Sequence, residues 1–484
     1  MENFNIERDI QNISFLIPAR TYNADFDITK KIPIPALIES CIKIINEVDV
    51  ISPRKIQIFF GLNDSEREIL IDQIINTGWV KFNDDGKLTS TLRLKEWITD
   101  SQSLEMVETL SFTEKVVIDL LTNHVQPRSE FIPIKGLPRI TNNFSANELD
   151  VTNIFSNQFT RFKDCINNQH IKNPRSSLYR VRNISSLRVS ELIVGINLCV
   201  KYDEFKNFYI EPKLISHSEV GSKLISSSGL LSQVINFIDN IQRGKAPKLS
   251  FQHYCDIFDD KVICKYYNFE ENYFDLVEYL KDRANHKTGY GNPETQGLIG
   301  PIYLDIDAKL KSYFRSIKDV GELPIGIWKP SCVDLFGASI NLREFIGNVN
   351  ENLRGHNSEL VTLFPEVDKT QNYQIKEKFY NRIGNGYFIN SIRELDESEV
   401  LVIPGENGFA YCQYHVSLDP NLGFQGLTMP IGFFTRDKDR IDLIWNHIRK
   451  FYMTPDGLKL RSFSRTYNST LDENRIYHQL VTSI

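Results

Sequence analysis

The tightest constraint on this chain lies between residues 35 and 98, where start and stop signals for three helices precede a turn between two short strands. Leu37, Cys41, Ile45 and Val48 fall at i, i+4, i+8 and i+11, which predicts a first helix from Pro35 to about Val50 with one apolar face. Ser52-Pro53 is a start signal, because a side-chain oxygen can cap and proline at the first position loses no needed N–H. The second helix, from Arg54 to Phe60, should stop at Gly61, a residue free to turn left-handed. Asn63 followed three residues later by Glu66 makes a capping box for a third helix, with Leu70, Ile71, Ile74 and Ile75 as its buried stripe and Gly78 as its end. Trp79 to Phe82, the Asp85-Gly86 turn, and Lys87 to Leu92 then read as a hairpin.

This order of three helices and a strand pair resembles the winged-helix family over residues 28–100. The resemblance implies a third helix laid in the DNA major groove and a hairpin wing against the backbone. The contacts it implies are Arg54 and Lys55 on the second helix, Arg67 on the third, and Lys81 and Lys87 on the wing, with Arg93 and Lys95 beside them. The charges oppose groove binding. Asp64, Glu66, Glu68 and Asp72 stand against Arg67 alone, and residues 26–100 hold ten Lys/Arg and twelve Asp/Glu, a net of −2. Phosphate attraction dominates DNA affinity. Docking of a protein partner, or homodimerisation, therefore ranks above groove recognition for this module.

A chain of 484 residues holds about three domains on the usual length prior. The expected division is 1–125, a winged-helix domain with an N-terminal arm; 126–150, a linker marked by Pro127, Pro133 and Pro138; 151–300, an α+β middle domain; and 301–484, a C-terminal α+β domain. The net charge of −6 argues against a globally basic nucleic-acid binder and leaves room for local patches. The polar, acidic opening residues lack the apolar core of a signal peptide, and no run is long and apolar enough to span a bilayer. Seven scattered cysteines without a CxxC pair point to buried small hydrophobes in a reducing, cytoplasmic setting, with no structural metal and no cofactor expected.

Along the chain, residues 11–30 predict a strand or extended arm, and 99–125 predict a helix burying Val107, Leu110, Val116, Val117 and Leu121. Residues 193–215 predict an antiparallel pair turning at Asp203-Glu204, followed by a helix over 221–242. Residues 250–267 predict a hairpin turning at Asp259-Asp260, and 270–284 a helix. Without a βαβ rhythm in this stretch, the fold class is α+β. Further on, 305–318 and 437–451 predict helices, 400–403 and 409–416 a hairpin, and 427–434 a strand. The glycine-rich loop 286–301 has neither phosphate-binding order of glycines and reads as a surface connection.

Two stretches concentrate positive charge. Between 156 and 190, Arg161, Lys163, Lys172, Arg175, Arg180, Arg182 and Arg188 face Asp164 alone, a local +6, with Phe155, Phe159, Phe162 and Tyr179 interleaved. Between 449 and 467, Arg449, Lys450, Lys459, Arg461 and Arg465 face Asp456, a local +4, beside Phe451, Tyr452, Phe463 and Tyr467. Basic side chains neutralise phosphates and aromatic rings stack on unpaired bases.

Three catalytic arrangements were weighed. Pro293-Glu294 with Asp307-Ala308-Lys309 loosely resembles a metal-dependent nuclease pattern, but Asp307 and Lys309 fall in an expected helix. His170-Ile171-Lys172 and His415-Val416-Ser417 faintly resemble the paired motifs of phospholipase-D-like phosphodiesterases, yet Ser177 stands where the aspartate belongs and the second site lacks its lysine. His415 with Cys412 or Asp419 does not make a nucleophile and base: Cys412 and His415, three apart on a strand, face opposite sides, and a single histidine in an aromatic-rich strand reads as a packed core residue. No catalytic residue is assigned, and the chain leans away from an enzyme. The expectation is a bacterial accessory protein or complex subunit, of a type suited to phage defence, contacting DNA through its basic stretches. The alternatives are an interaction subunit that never touches nucleic acid, and a degenerate or active phosphodiesterase or nuclease.

Overall fold

The computed structural model describes the chain apart from residues 1–6, 99–104, 128–135, 142–149, 204–206, 216–218, 241–250, 334, 367, 380–381, 390–396, 423–426, 453–459, 465–471 and 482–484. The fold is mixed α+β. Its residues gather into two compact units, one formed by 1–20, 118–147 and 189–484, the other by 21–117 and 148–188. This differs from a serial division at 125, 150 and 300. The strands Glu7–Pro33, Glu105–Asp119 and Ser176–Asp203 each run across a unit boundary.

The smaller unit contains the stretch from which the sequence was read. Helices Ala36–Val48, Pro53–Phe60 and Asp64–Asn76 surround a core of Ile38, Cys41, Ile42, Ile45, Ile56, Leu70, Ile71, Ile74 and Trp79. The second helix has Pro53 at its start and ends at Gly61 in the left-handed region (φ 66°), as its sequence requires. Ser52, however, makes no side-chain cap bond. The third helix carries the full capping box: Asn63 Oδ1 accepts from the Glu66 N–H, and Glu66 Oε2 accepts from the Asn63 N–H, both at 2.9 Å. The hairpin pairs Val80–Phe82 with Leu88–Ser90, and Val50–Ile51 adds a third strand. Asn83 closes its turn by accepting from the Asp85 and Lys87 N–H groups. The first helix buries Ile38, Cys41, Ile42 and Ile45, so its core stripe lies one residue round from the expected one, and Leu37 and Val48 are exposed at its edge.

In the larger unit an eight-stranded mixed sheet runs in the order Thr295–Ile299, Thr428–Thr435, Phe409–Ser417, Ser398–Ile403, Gly326–Lys329, Leu360–Pro365, Asn385–Ile389, Leu460–Ser464. Gly326–Lys329, Leu360–Pro365 and Asn385–Ile389 are mutually parallel, and the other neighbouring pairs are antiparallel. Helices Asn341–Arg354 and Lys369–Phe379 make the crossovers between the parallel strands, as such connections require. Four adjacent inner strands, Ser398–Ile403, Gly326–Lys329, Leu360–Pro365 and Asn385–Ile389, are buried along their whole length, the pattern of a sheet covered on both faces. A large aromatic and aliphatic core packs around Trp328, Leu401, Tyr411, Phe364 and Phe388.

Two expected elements are corrected. The helix over 99–125 is a strand, Glu105–Asp119, whose residues 109–115 alternate between exposed and half-buried, and Val107 is exposed. The hairpin over 250–267 is helical, Phe251–Ile257 then Lys261–Cys264. Phe251, Tyr254, Cys255 and Phe258 are all buried at i, i+3, i+4 and i+7, so helical spacing overrides the β preference of aromatic residues. The helix over 221–242 is two, Glu219–Ser226 and Leu230–Asp239, divided at Gly229. The 398–403 and 409–417 hairpin, the strand at 428–435, and the helices Ile302–Ser316 and Lys438–Tyr452 are where the sequence places them.

Candidate functional site

Three features stand out, and the first is the basic stretch of the smaller unit. Lys172, Arg175, Arg180, Arg182 and Arg188 are exposed, and Arg180, Arg182 and Arg188 share the parity of one strand face. Arg180 and Arg182 are anchored at their Nε groups: Arg180 donates to Asp27 at 2.6 Å, and Arg182 pairs ionically with it at 3.2 Å. The Asp27 side chain is only 2% exposed and also accepts from the Ser111 hydroxyl at 2.6 Å. That hydroxyl and then Arg180 hold the Asp27 carboxyl below its usual range. Lys163 is committed to the chain itself, donating to the carbonyls of Asn173 and Ser176 at 2.9 Å. Arg161 is half-buried and has partners of its own. The expected stacking surface is corrected: Phe155, Phe159 and Phe162 are buried around Phe26, with ring centroids 5.0–6.1 Å apart. Only Tyr179 of that set is exposed.

The second feature is the surface of the three-helix module. Among the described residues, seventeen large apolar side chains are exposed, and eight of them fall within 35–98: Leu37, Val48, Val50, Ile58, Phe59, Ile69, Phe82 and Leu92. Scattered exposed apolar residues need no explanation, but this density does. Ile58, Phe59 and Ile69 are 73%, 69% and 59% exposed. The cations implied by the winged-helix resemblance give no comparable surface. Arg67 is held by Asp64, Glu68 and Gln57, Lys87 lies 3.9 Å from Asp85, and Arg54, Lys55 and Lys81 are exposed.

The second basic stretch belongs to the larger unit. Arg461 pairs with Glu366 at 2.8 Å, while Phe463 is buried against Phe364 and Phe388. Lys459 and Arg465 lie outside the described residues. Of the catalytic candidates, Asp307 and Lys309 are on a helix, and His170 is exposed on the short helix Gln169–Lys172.

The third feature was invisible in the sequence: a buried polar centre on one face of the large sheet. Tyr411, Gln413 and His415 alternate along their strand and so share that face. Glu399, opposite Gln413, accepts from Trp328 Nε1–H at 2.8 Å. Residues 336–339 wall the centre. The Phe336 ring meets His415 edge-on at 5.3 Å, the Gly337 carbonyl accepts from Arg382 Nη1, and the Ser339 hydroxyl donates to Asn12 Oδ1 at 2.5 Å. Tyr303 donates to the Asn12 carbonyl at 3.4 Å. Among the described residues, His415, 6% exposed, has no hydrogen-bond partner at either ring nitrogen, and Arg382, 2% exposed, has none at Nε or Nη2. Each buried polar group left this way costs about 1–3 kcal/mol, and more when charged.

Electrostatics make the centre cationic. Burial, then Lys329, then Lys378 pull His415 down to about 3, so its imidazole is neutral. Burial pushes Glu399 up to about 8, against the Trp328 hydrogen bond and Lys329, so at neutral pH it is mostly an uncharged acid. Burial also lowers Arg382 to about 10, which still leaves it protonated. The only hint in the sequence was His415 itself, since Lys329, Lys378, Arg382 and Glu399 share no local motif. No family model matches the chain, and no curated protein or solved structure matches it either.

Proposed function

We propose that this protein is an interaction subunit of a larger assembly, and that residues 35–98 form a winged helix used to dock a protein partner. The exposure of Ile58, Phe59 and Ile69 on the second and third helices carries this reading. The order helix, short strand, two helices, hairpin supports the winged-helix assignment. The carboxylates of Asp64, Glu66, Glu68 and Asp72 on the third helix disfavour a phosphate backbone and favour a partner with apolar anchors inside a basic rim. A photo-crosslinking side chain at Phe59, in the full-length protein in cells, tests it. A defined adduct should form and should disappear when Ile58 and Ile69 are changed to aspartate. Equal crosslinking with and without those changes would overturn the docking role.

A second reading, DNA contact, is favoured by one observation: Asp27 anchors Arg180 and Arg182 by Nε on an exposed strand face that also carries Arg188. Such a row would touch phosphates without reading bases. In mobility-shift titrations with duplex and single-stranded DNA, changing both Arg180 and Arg182 to alanine should lower the salt slope by about 2. If the unaltered protein gives no salt-sensitive shift, this reading is lost.

A further inference from the structure

The buried centre around His415 is unlike a structural polar network in one respect. Structural networks are closed: buried donors meet acceptors, and buried charges meet opposite charges. Here Arg382 spends one N–H on the Gly337 carbonyl and leaves Nε and Nη2 without a partner. His415 leaves both ring nitrogens without one, though it lies under Phe336 on the adjoining wall. The charges acting on His415 come from Lys329 and Lys378, with no carboxylate among them. Glu399, opposite Gln413 on the same face, has its Oε1 engaged by Trp328, and the Glu397 carbonyl accepts from the His415 backbone N–H. The loop at 336–339 links Arg382 and His415, its Phe336 ring against His415 and its Gly337 carbonyl on Arg382, so unspent donors of two buried side chains border one loop.

We propose that this centre binds a phosphate group, taken by Arg382 through Nε and Nη2 and by one ring N–H of His415. A planar guanidinium presents Nε–H and an Nη–H side by side, which suits two oxygens of one phosphate. Neutral His415 offers one donor and can turn its acceptor nitrogen to a protonated oxygen of a monoester. The site takes either free phosphate or the terminal phosphate of a nucleotide. It lies in the larger unit, apart from Ile58, Phe59 and Ile69 and from Arg180 and Arg182, so its failure and theirs are separate events.

The test is calorimetric titration of the full-length protein with inorganic phosphate, a 5′-phosphorylated dinucleotide and its 5′-hydroxyl counterpart. Saturable binding of phosphate is expected, weakened at least about tenfold by Arg382→Gln. Binding of the phosphorylated dinucleotide alone would also support the site and would assign it to a nucleotide terminus. Should Arg382→Gln fail to fold, His415→Leu replaces it: removing the ring donor should weaken binding while circular dichroism stays unchanged. Arg180→Ala and Arg182→Ala should leave this binding intact. No saturable binding of either phosphate compound by the unaltered protein, or equal binding by the variants, would overturn the proposal.

Discussion

Replacing Glu399 by glutamine should make the larger unit more stable, and increasingly so as pH rises. Glu399 is fully buried, and its carboxyl is pushed from the usual 4.5 to about 8, mainly by burial. In the unfolded chain it ionises near its ordinary value, whereas in the fold it keeps its proton. The unfolded state therefore releases a proton that the native state retains. Stability contributed by this group is complete below about pH 4.5 and is lost progressively until the pH passes about 8. At 1.36 kcal/mol per unit, the loss is on the order of 3 kcal/mol by neutral pH and up to about 5 kcal/mol at alkaline pH. Glutamine keeps the oxygen that accepts from Trp328 and does not ionise, so Glu399→Gln should remove the loss. Denaturant unfolding of both proteins near pH 5, 7 and 9 measures this directly, as a stability difference that starts small and widens. A difference that stays constant across the range would mean that Glu399 is already ionised in the fold, and the account of a buried neutral acid would be wrong.

Two other substitutions probe the framework. Asn63→Ala removes one half of the capping box of the third helix and should cost the module about 1 kcal/mol, read as earlier exchange of the amides of residues 64–67. Gly432→Ala would place a Cβ 1.9 Å from the Cys412 carbonyl oxygen of the neighbouring strand. The ladder must spread there, so a loss of about 2–4 kcal/mol is expected in thermal unfolding, and an unchanged midpoint would contradict the packing described.

Legibility in the sequence followed the range of the interactions. Pro53, Gly61 and the Asn63–Glu66 pair act within one turn of chain, and each is where the sequence puts it. The strand at 105–119 was misread because Val116 and Val117 serve either a helix face or a strand end, while the alternation of Leu110, Phe112 and Glu114 was the better signal. The aromatic residues of 155–162 looked like stacking platforms only because nothing local reveals Phe26, which lies more than a hundred residues earlier and draws them inward. The centre at His415 is the extreme case. Its members come from stretches as far apart as Asn12 and His415, and only burial makes a lysine, an arginine and a neutral acid matter to one another.

The threading of the chain sets an order of assembly. All of the smaller unit has been synthesised once residue 188 is made, while the larger one still lacks most of its strands. The strand Glu7–Pro33 is hydrogen-bonded to Glu105–Asp119 and Ser176–Asp203, so both of its partners exist once residue 203 is made. A nascent chain stalled at mid-length would carry the whole smaller unit and this paired opening strand, with the eight-stranded sheet still to come. No single proteolytic cut can release either unit intact, because each is built from more than one stretch of the chain.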